Sequence, residues 1–350
     1  MKLKLNQLVG AFALSLILFA CNDSEPEQPL GAYEQGILIM NEGNFGTNDG
    51  EVYHLDPSTE TLTPIIFEAE NFRPFAGLLE DMVPTNDNLY LVANTGKVEI
   101  VDAGTFKSVG AVTGDLDQPR SLAVVGSKLF ISDYGPYDAS YSTPDSYVAV
   151  VDGLNGGVVS KKIEVSNKPE DLFAYGKYVF VAGSEEGKVE IIDAEKEEVI
   201  KTLEVDGHPA QFFESNGRLW LYSTGSDEVY FQSFHMDNFT KATTNALPVA
   251  NATGRIAFGN DHVFYLITST GWPDYKDGVS RVSVLGPELD IDWITGSGFY
   301  GIGYDQVRDE LYLSNSNGFQ GNGSVTVYNE GGTEIRTFEV GRGPSGFLFY

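Results

Sequence analysis

The chain has 350 residues, with 50 acidic against 22 basic side chains and a net charge of −28. That balance argues against nucleic acid as a partner and against direct adhesion to an anionic membrane, since both would be repelled. A single cysteine excludes an internal disulfide and a cysteine-based metal cluster. The 39 glycines, 12% aromatics and recurrent Val, Ile and Tyr favour strands and tight turns over helices.

The chain opens with the pattern of an export signal. Lys2 and Lys4 precede an apolar run from Leu8 to Ala20. The run is short of the roughly 20 residues that a spanning helix takes and fits the hydrophobic region of a secretory signal. It ends in Leu18-Phe19-Ala20-Cys21, which resembles a bacterial lipobox, although Phe19 is bulkier than usual there. Residues 1–20 are therefore expected to be a lipoprotein signal peptide, with Cys21 lipidated and its acyl chains tethering the protein to a membrane. Asn22 to Pro29 is acidic and lacks apolar residues, so 21–34 reads as a disordered tether. Acidic residues directly after such a cysteine resemble the export tag that sends some gut-bacterial lipoproteins to the cell's outer face; a plain spacer is the alternative. The expected location is the outer membrane, lipid-anchored and surface-exposed, with a periplasm-facing anchor as the alternative.

From residue 35 the chain repeats. Segments starting at Val101, Val151 and Ile192 each read as a strand, an Asp, a polar turn, a strand, a loop, a Pro and a further strand. Asp102, Asp152 and Asp193 can accept hydrogen bonds from nearby amides and start the turn. After each Pro comes a hairpin, at Ser121, Asp171 and Gln211, with weaker copies at Asp81, Arg255 and Gly301. A period of about 40 to 50 residues with four strands is a propeller blade. Six copies are complete in the linear sequence. The seventh is split between the C-terminal Gly343–Tyr350 and the segments beginning at Gly36 and Gly50. The predicted fold is thus all-β: a seven-bladed β-propeller of four-stranded antiparallel blades over 35–350, closed by the C-terminal strand joining the N-terminal blade. Such closure removes free sheet edges. A pair of β-sandwiches would not explain a half-repeat at each end.

The apolar pair, Asp, turn, Val199–Val205 and Gly207-x-Pro209 pattern resembles the YVTN/YncE-like seven-bladed propellers. Together with the lipobox and Asn41–Gly46, the chain is similar to the propeller lipoproteins of gut bacteria that work beside TonB-dependent transporters, the best known of which capture vitamin B12. The resemblance implies a cell-surface lipoprotein, most simply monomeric. It would bind a bulky nutrient, corrinoid or siderophore-like, and hand it to an outer-membrane TonB-dependent transporter.

Propeller geometry places the outer-to-inner connections and the loops between second and third strands on one face. The long irregular segments, at Glu42–Gly50, Glu70–Gly77, Asp133–Tyr147, Ser269–Gly278 and Asn315–Gly323, all fall there. They carry Phe45, Phe72, Phe75, Tyr134, Tyr137, Tyr141, Trp272, Tyr275 and Phe319, and an aromatic rim suits a bulky ligand or a protein surface. Packing of these rings under their own loops is the alternative. The starts of the inner strands should meet at the channel mouth on that face: Glu80-Asp81, Arg120-Ser121, Glu170-Asp171, Ala210-Gln211, Gly254-Arg255, Tyr300-Gly301 and Ser345-Gly346; Arg120 and Arg255 stand among acids there, and internal ion pairing is the alternative to a ligand site. His54, His208, His235 and His262 are too dispersed to form a metal site or a nucleophile–base pair. No catalytic residue, metal or cofactor is therefore expected. The alternatives are a lactonase-like hydrolase using carboxylates at the mouth and a ligand-free scaffold for an outer-membrane complex.

Overall fold

The computed structural model describes residues 30–350 apart from 86, 216, 272 and 285–288. The expected signal peptide, Cys21 and most of the tether lie outside the described residues. Within Leu30 to Glu34, the expected end of that tether, Gly31 and Tyr33 pack against the folded body. Tyr33 sits edge-on to His54 and Phe106, each at 5.5 Å, and donates to Glu70 at 2.7 Å. An aromatic ring with apolar partners in reach does not stay in solvent.

The strands run β1 (Ile37–Asn41), β2 (Glu51–Asp56) and β3 (Thr61–Thr63) in blade 1, followed by a short helix α1 (Ile66–Asn71). Blade 2 holds β4 (Leu79–Pro84), β5 (Asn88–Ala93), β6 (Lys97–Asp102) and β7 (Ser108–Val112). Blade 3 holds β8 (Pro119–Val125), β9 (Lys128–Asp133), β10 (Tyr147–Asp152) and, after the two-residue β11 (Gly156–Gly157), β12 (Val159–Glu164). Blade 4 is β13 (Pro169–Tyr175), β14 (Tyr178–Gly183), β15 (Lys188–Asp193) and β16 (Glu198–Glu204). Blade 5 is β17 (His208–Ser215), β18 (Arg218–Thr224), β19 (Val229–His235) and β20 (Thr240–Leu247). Blade 6 is β21 (Ala252–Phe258), β22 (Val263–Ser269), β23 (Asp277–Ser283) and β24 (Leu289–Gly296). Blade 7 is β25 (Phe299–Asp305), β26 (Glu310–Asn315), β27 (Ser324–Asn329) and β28 (Glu334–Glu339). The last strand, β29 (Pro344–Phe349), pairs antiparallel with β1 and becomes the inner strand of blade 1, Ile39 facing Phe347. The ring is a seven-bladed propeller, closed where the half-repeats require.

The repeat's grammar has physical content. Asp102 accepts from the Thr105 amide at 2.8 Å, Asp193 from the Glu195 and Lys196 amides at 3.0 and 3.2 Å, and Asp56 from the Ser58 amide at 2.8 Å. Asp152 is the exception. Its carboxylate goes to Lys128 at 3.1 Å, because the following glycine-rich turn swings away to lay β11 parallel to β7 as a fifth strand of blade 2. Gly156 makes that contact possible, with φ +85° and room for no Cβ beside the Ala111 carbonyl.

The core is distributed rather than central. Each of seven apolar clusters fills one interface between neighbouring blades, as where Tyr90, Val92 and Val98 of blade 2 meet Leu122, Leu129 and Ile131 of blade 3. The cluster of Ile37, Ile39, Tyr312, Val325 and Val327 seals blade 7 against blade 1. Apolar burial at about 25 cal/mol per Å² thus holds the ring together edge to edge and leaves the axis open for polar side chains.

Candidate functional site at the channel mouth

The inner strands share an irregularity that positions the site. In β8, Pro119 pairs with Asp133 and Leu122 with Ile131, so three steps on the inner strand face two on its neighbour. The same one-residue bulge occurs in β4, β13, β17, β25 and β29. In β21 it is larger, because four steps from Ala252 to Ile256 face two from Thr268 to Leu266. A bulge re-aims side chains and ends regular pairing. Here bulges fall on the mouth residues of every blade and turn them toward the axis. Pro119, Pro169 and Pro344 open their strands and Pro209 is the second residue of β17, positions at a strand's start where a missing N–H is tolerated.

The mouth leads into a cavity of about 640 Å³, lined at its upper end by Glu80, Asp81, Arg120, Ser121, Glu170, Asp171, Gln211, Arg255 and Ser345. On the side formed by blades 2 to 4 each charge has a counterpart. Arg120 reaches Glu80 at 2.8 Å and Glu170 at 3.5 Å, and lies 5.0 Å over the Tyr134 ring. Tyr134 donates to Glu170, and Asn94 to Glu80. Burial alone would lower the Arg120 guanidinium, but Glu80, Tyr134 and Glu170 outweigh it and hold its pKa above the ordinary value. Burial pushes the Tyr134 phenol up, with Glu170 adding to it.

Below this layer lies a carboxyl–hydroxyl–carboxyl bridge. Ser121 Oγ is 2.9 Å from Asp81 Oδ2 and 3.2 Å from Asp171 Oδ1. Asp81 also accepts from the Met82 amide, and Asp171 from the Leu172 and Phe212 amides. One hydroxyl has one hydrogen, so it donates to one carboxyl only, and both contacts are satisfied together when the other carboxyl is protonated. Burial raises Asp171 to about 7, with repulsion from Asp81 contributing, and raises Asp81 to about 6. The bridge therefore holds a proton near neutrality.

The side formed by blades 5 to 7 and blade 1 repeats part of this pattern. Arg255 lies 5.2 Å over the Tyr300 ring, and Tyr300 donates to Glu42. Phe319 braces Tyr300 edge-on at 5.0 Å. Burial pushes Tyr300 up, as does Glu42; burial and repulsion from Glu80 raise Glu42 in turn. Arg255, unlike Arg120, has no ion pair among the described residues. His208 Nδ1 donates to the Ser184 carbonyl at 3.0 Å at the same mouth. His54 instead binds the Gln35 carbonyl at 2.6 Å in blade 1, and His262 lies 3.3 Å from Ser215. Among the described residues no three His, Cys, Asp or Glu side chains gather as a metal-holding group.

The expected mouth residues Asp81, Arg120, Asp171, Gln211 and Arg255 line one cavity, and Tyr300 stacks beneath Arg255. The expected rim divides. Phe45 is 90% exposed, and Tyr137 and Tyr275 are each 55% exposed. Phe319 is half-buried on Tyr300, and Tyr134 belongs to the charged layer rather than to the rim. Phe75 corrects the expectation. It is 1% exposed and packs edge-on to Phe67 at 5.5 Å beneath Lys97, because the connection after α1 folds down over the interface of blades 1 and 2. Trp272 lies outside the described residues. Glu42 and Asn94 were not anticipated at the mouth; the one signal for Glu42 is its place at the end of β1, where a long loop begins on the mouth face.

Among solved structures, the chain is similar to a quinonprotein alcohol dehydrogenase-like protein from Bacteroides thetaiotaomicron (16% identity, TM-score 0.67, covering 91% of this chain and 78% of that one). It is also similar to hydrazine synthase from Kuenenia stuttgartiensis (18%, 0.58, 76% and 87%) and to BamB from Moraxella catarrhalis (14%, 0.53, 92% and 88%). At such identities the likeness concerns the fold, which hosts many functions. No curated protein matches the sequence. One family model matches residues 35–349, nearly all of the described ring, and the chain accordingly belongs to the DUF5074 family, a domain of unknown function.

Proposed function

We propose that this chain is a lipid-anchored, cell-surface propeller that captures a bulky nutrient, corrinoid or siderophore-like, at the channel mouth and passes it to a TonB-dependent outer-membrane transporter. The observation that carries the reading is the funnel. A cavity of about 640 Å³ lies at the charged mouth of the channel, and long loops expected on the same face keep Phe45, Tyr137 and Tyr275 in solvent. That volume suits a sizeable small molecule, and exposed rings above a polar floor suit a ligand with both apolar and polar surface. The ligand class comes from the resemblance to the vitamin B12-capturing lipoproteins, and the transporter from the same source.

Isothermal calorimetry with cyanocobalamin and a panel of ferric siderophores tests the capture. A saturable heat with one of them is expected, and none with any would overturn the reading. A second reading, a lactonase-like hydrolase, draws on Asp171, a buried carboxyl that is half-protonated near pH 7 and so matched to general acid–base work. Turnover of a lactone, lost in Asp171→Asn, would favour it. Co-purification with an outer-membrane barrel and no small ligand would favour a scaffold.

A further inference from the structure

The hydrogen-bonding capacity of the mouth is unevenly spent. On the blade 2 to 4 side Glu80, Arg120, Glu170, Asp81, Ser121 and Asp171 satisfy one another. Across the cavity three side chains on blades 5, 6 and 1 do not. Gln211 and Arg255 line the cavity with no hydrogen bond or ion pair from their side chains to the described residues. Ser345 Oγ is without a partner although the residue is only 4% exposed and lines the same cavity. A buried hydroxyl left unsatisfied costs about 1–3 kcal/mol, and a ligand group in the cavity is one way to supply the missing bond. All three groups can donate. Arg255 is also held in place: Tyr300 supports it from below, Glu42 and Phe319 fix Tyr300, and the enlarged bulge of β21 presents it to the axis.

We infer that this side of the mouth is a seat for an oxyanion of the ligand, a carboxylate or a phosphate, received by Arg255 with Gln211 and Ser345 as supporting donors. A guanidinium presents a planar fork that matches both groups bidentately. An amide such as Gln or a hydroxyl such as Ser offers a hydrogen bond but no charge. The remaining charges facing Arg255 are Glu42, held off by its bond to Tyr300, and the already paired Arg120 and Glu80. The protein's overall charge of −28 repels free anions, so the seat acts at short range, on a group delivered by the rest of a ligand that the rim has engaged. The inference rests on the capture reading for its ligand, but its chemistry can be tested without one.

The test is thermal unfolding of the full chain purified in detergent, at constant ionic strength, with chloride replaced by low-millimolar phosphate or acetate. A ligand that binds only the folded state raises Tm saturably, whereas general salt exclusion does not saturate. A saturable rise is expected with at least one of the two anions. Arg255→Gln should abolish it, and Arg255→Lys should weaken the apparent affinity at least five-fold while unfolding in chloride at the wild-type Tm. Ser345→Ala should weaken it less. Arg218→Gln, exposed on β18, should leave it intact. A rise with phosphate alone assigns the seat to phosphate, and with acetate alone to carboxylate. Equal behaviour of phosphate, acetate and chloride, or a full rise retained in Arg255→Gln, would overturn the inference. Calorimetry with cyanocobalamin and siderophores separates the two claims: a null there beside a positive anion titration removes the capture reading and leaves the seat, and the reverse removes the seat and leaves the capture.

Discussion

The two sides of the channel mouth are built from the same unit and put it to different use. On one side Arg120 lies over Tyr134, whose hydroxyl binds Glu170; on the other Arg255 lies over Tyr300, whose hydroxyl binds Glu42. The difference lies in the carboxylates. Glu80 and Glu170 both reach Arg120, and among the described residues none reaches Arg255 as an ion pair. The first side closes on itself and ties blades 2, 3 and 4 together across the axis. The second leaves a positive group, an amide and a hydroxyl unspent. A stacked arginine thus becomes structural or receptive according to whether a neighbouring inner strand supplies an acid, and a propeller can vary that choice blade by blade without disturbing its ring.

The largest expected effect lies beneath the closed side. Asp171 is raised from 3.8 to about 7 in the folded protein, so the folded state keeps a proton that the unfolded chain releases. Its contribution is fully present below about pH 4 and is lost as pH rises through about 7, on the order of 4 kcal/mol in all. Urea denaturation of wild type and Asp171→Asn between pH 4 and 8 should show the wild type losing more stability over that window. Glu51 also titrates near 7 but is common to both proteins and drops out; Asp81, raised to about 6 beside Asp171, titrates with it, so the difference reports the bridge as a unit. Parallel curves would remove the shared proton from the Asp81–Ser121–Asp171 bridge.

Next comes the comparison of the two arginines. Arg120→Ala strands Glu80, which is largely buried, and Glu170 without their cation. Removing one partner of a buried pair costs about 3 kcal/mol or more. Arg255→Gln removes no ion pair and should stay within about 1 kcal/mol of wild type. Chemical denaturation of both variants measures the gap directly; equal losses would mean that the two sides are structurally equivalent and the contrast drawn between them is empty.

How much of this could be read from the chain alone follows the same division. The ring was legible because several blades repeat a local device, an Asp that folds the turn at Asp56, Asp102 and Asp193 and a Pro at the start of the inner strand in four blades, and because β29 and β1 complete a half-repeat at each end. The residues at the mouth were legible too, since the inner strands align and their bulges fall at matching positions. Which of those residues pair was not. The ring order does put an acid on each blade beside Arg120, Glu80 on β4 and Glu170 on β13, and none at the matching positions beside Arg255, but the acids lie some 40 and 50 residues away along the chain, so that only the closed ring turns the order into pairs. Phe75 was misplaced for a related reason. A ring in a long loop is exposed or buried according to what lies under the loop, and here Phe67 of an unanticipated helix waits below it. That helix is six residues long and is held by Glu51, which accepts from the Phe67 amide at 3.0 Å, a bond from blade 1 that no periodicity signals.

The smallest expected effect concerns the rim, and it sharpens the contrast by asking whether the receptive side extends upward into the loops. Phe45 lies in a loop of blade 1 and Tyr275 in a loop of blade 6, both on the receptive side, whereas Tyr137 lies in a loop of blade 3 on the closed side. If ligand enters over the receptive side, Phe45→Ala and Tyr275→Ala should each weaken binding about ten-fold, the scale of one aromatic contact, and Tyr137→Ala less. None should alter the denaturation midpoint, since each ring gives up solvent-exposed rather than core packing. Calorimetric dissociation constants for the three variants decide the matter. A loss confined to Tyr137→Ala would place the ligand over the paired charges instead, where it would have to compete with Glu80 and Glu170 for Arg120, and the unspent donors across the cavity would need another explanation.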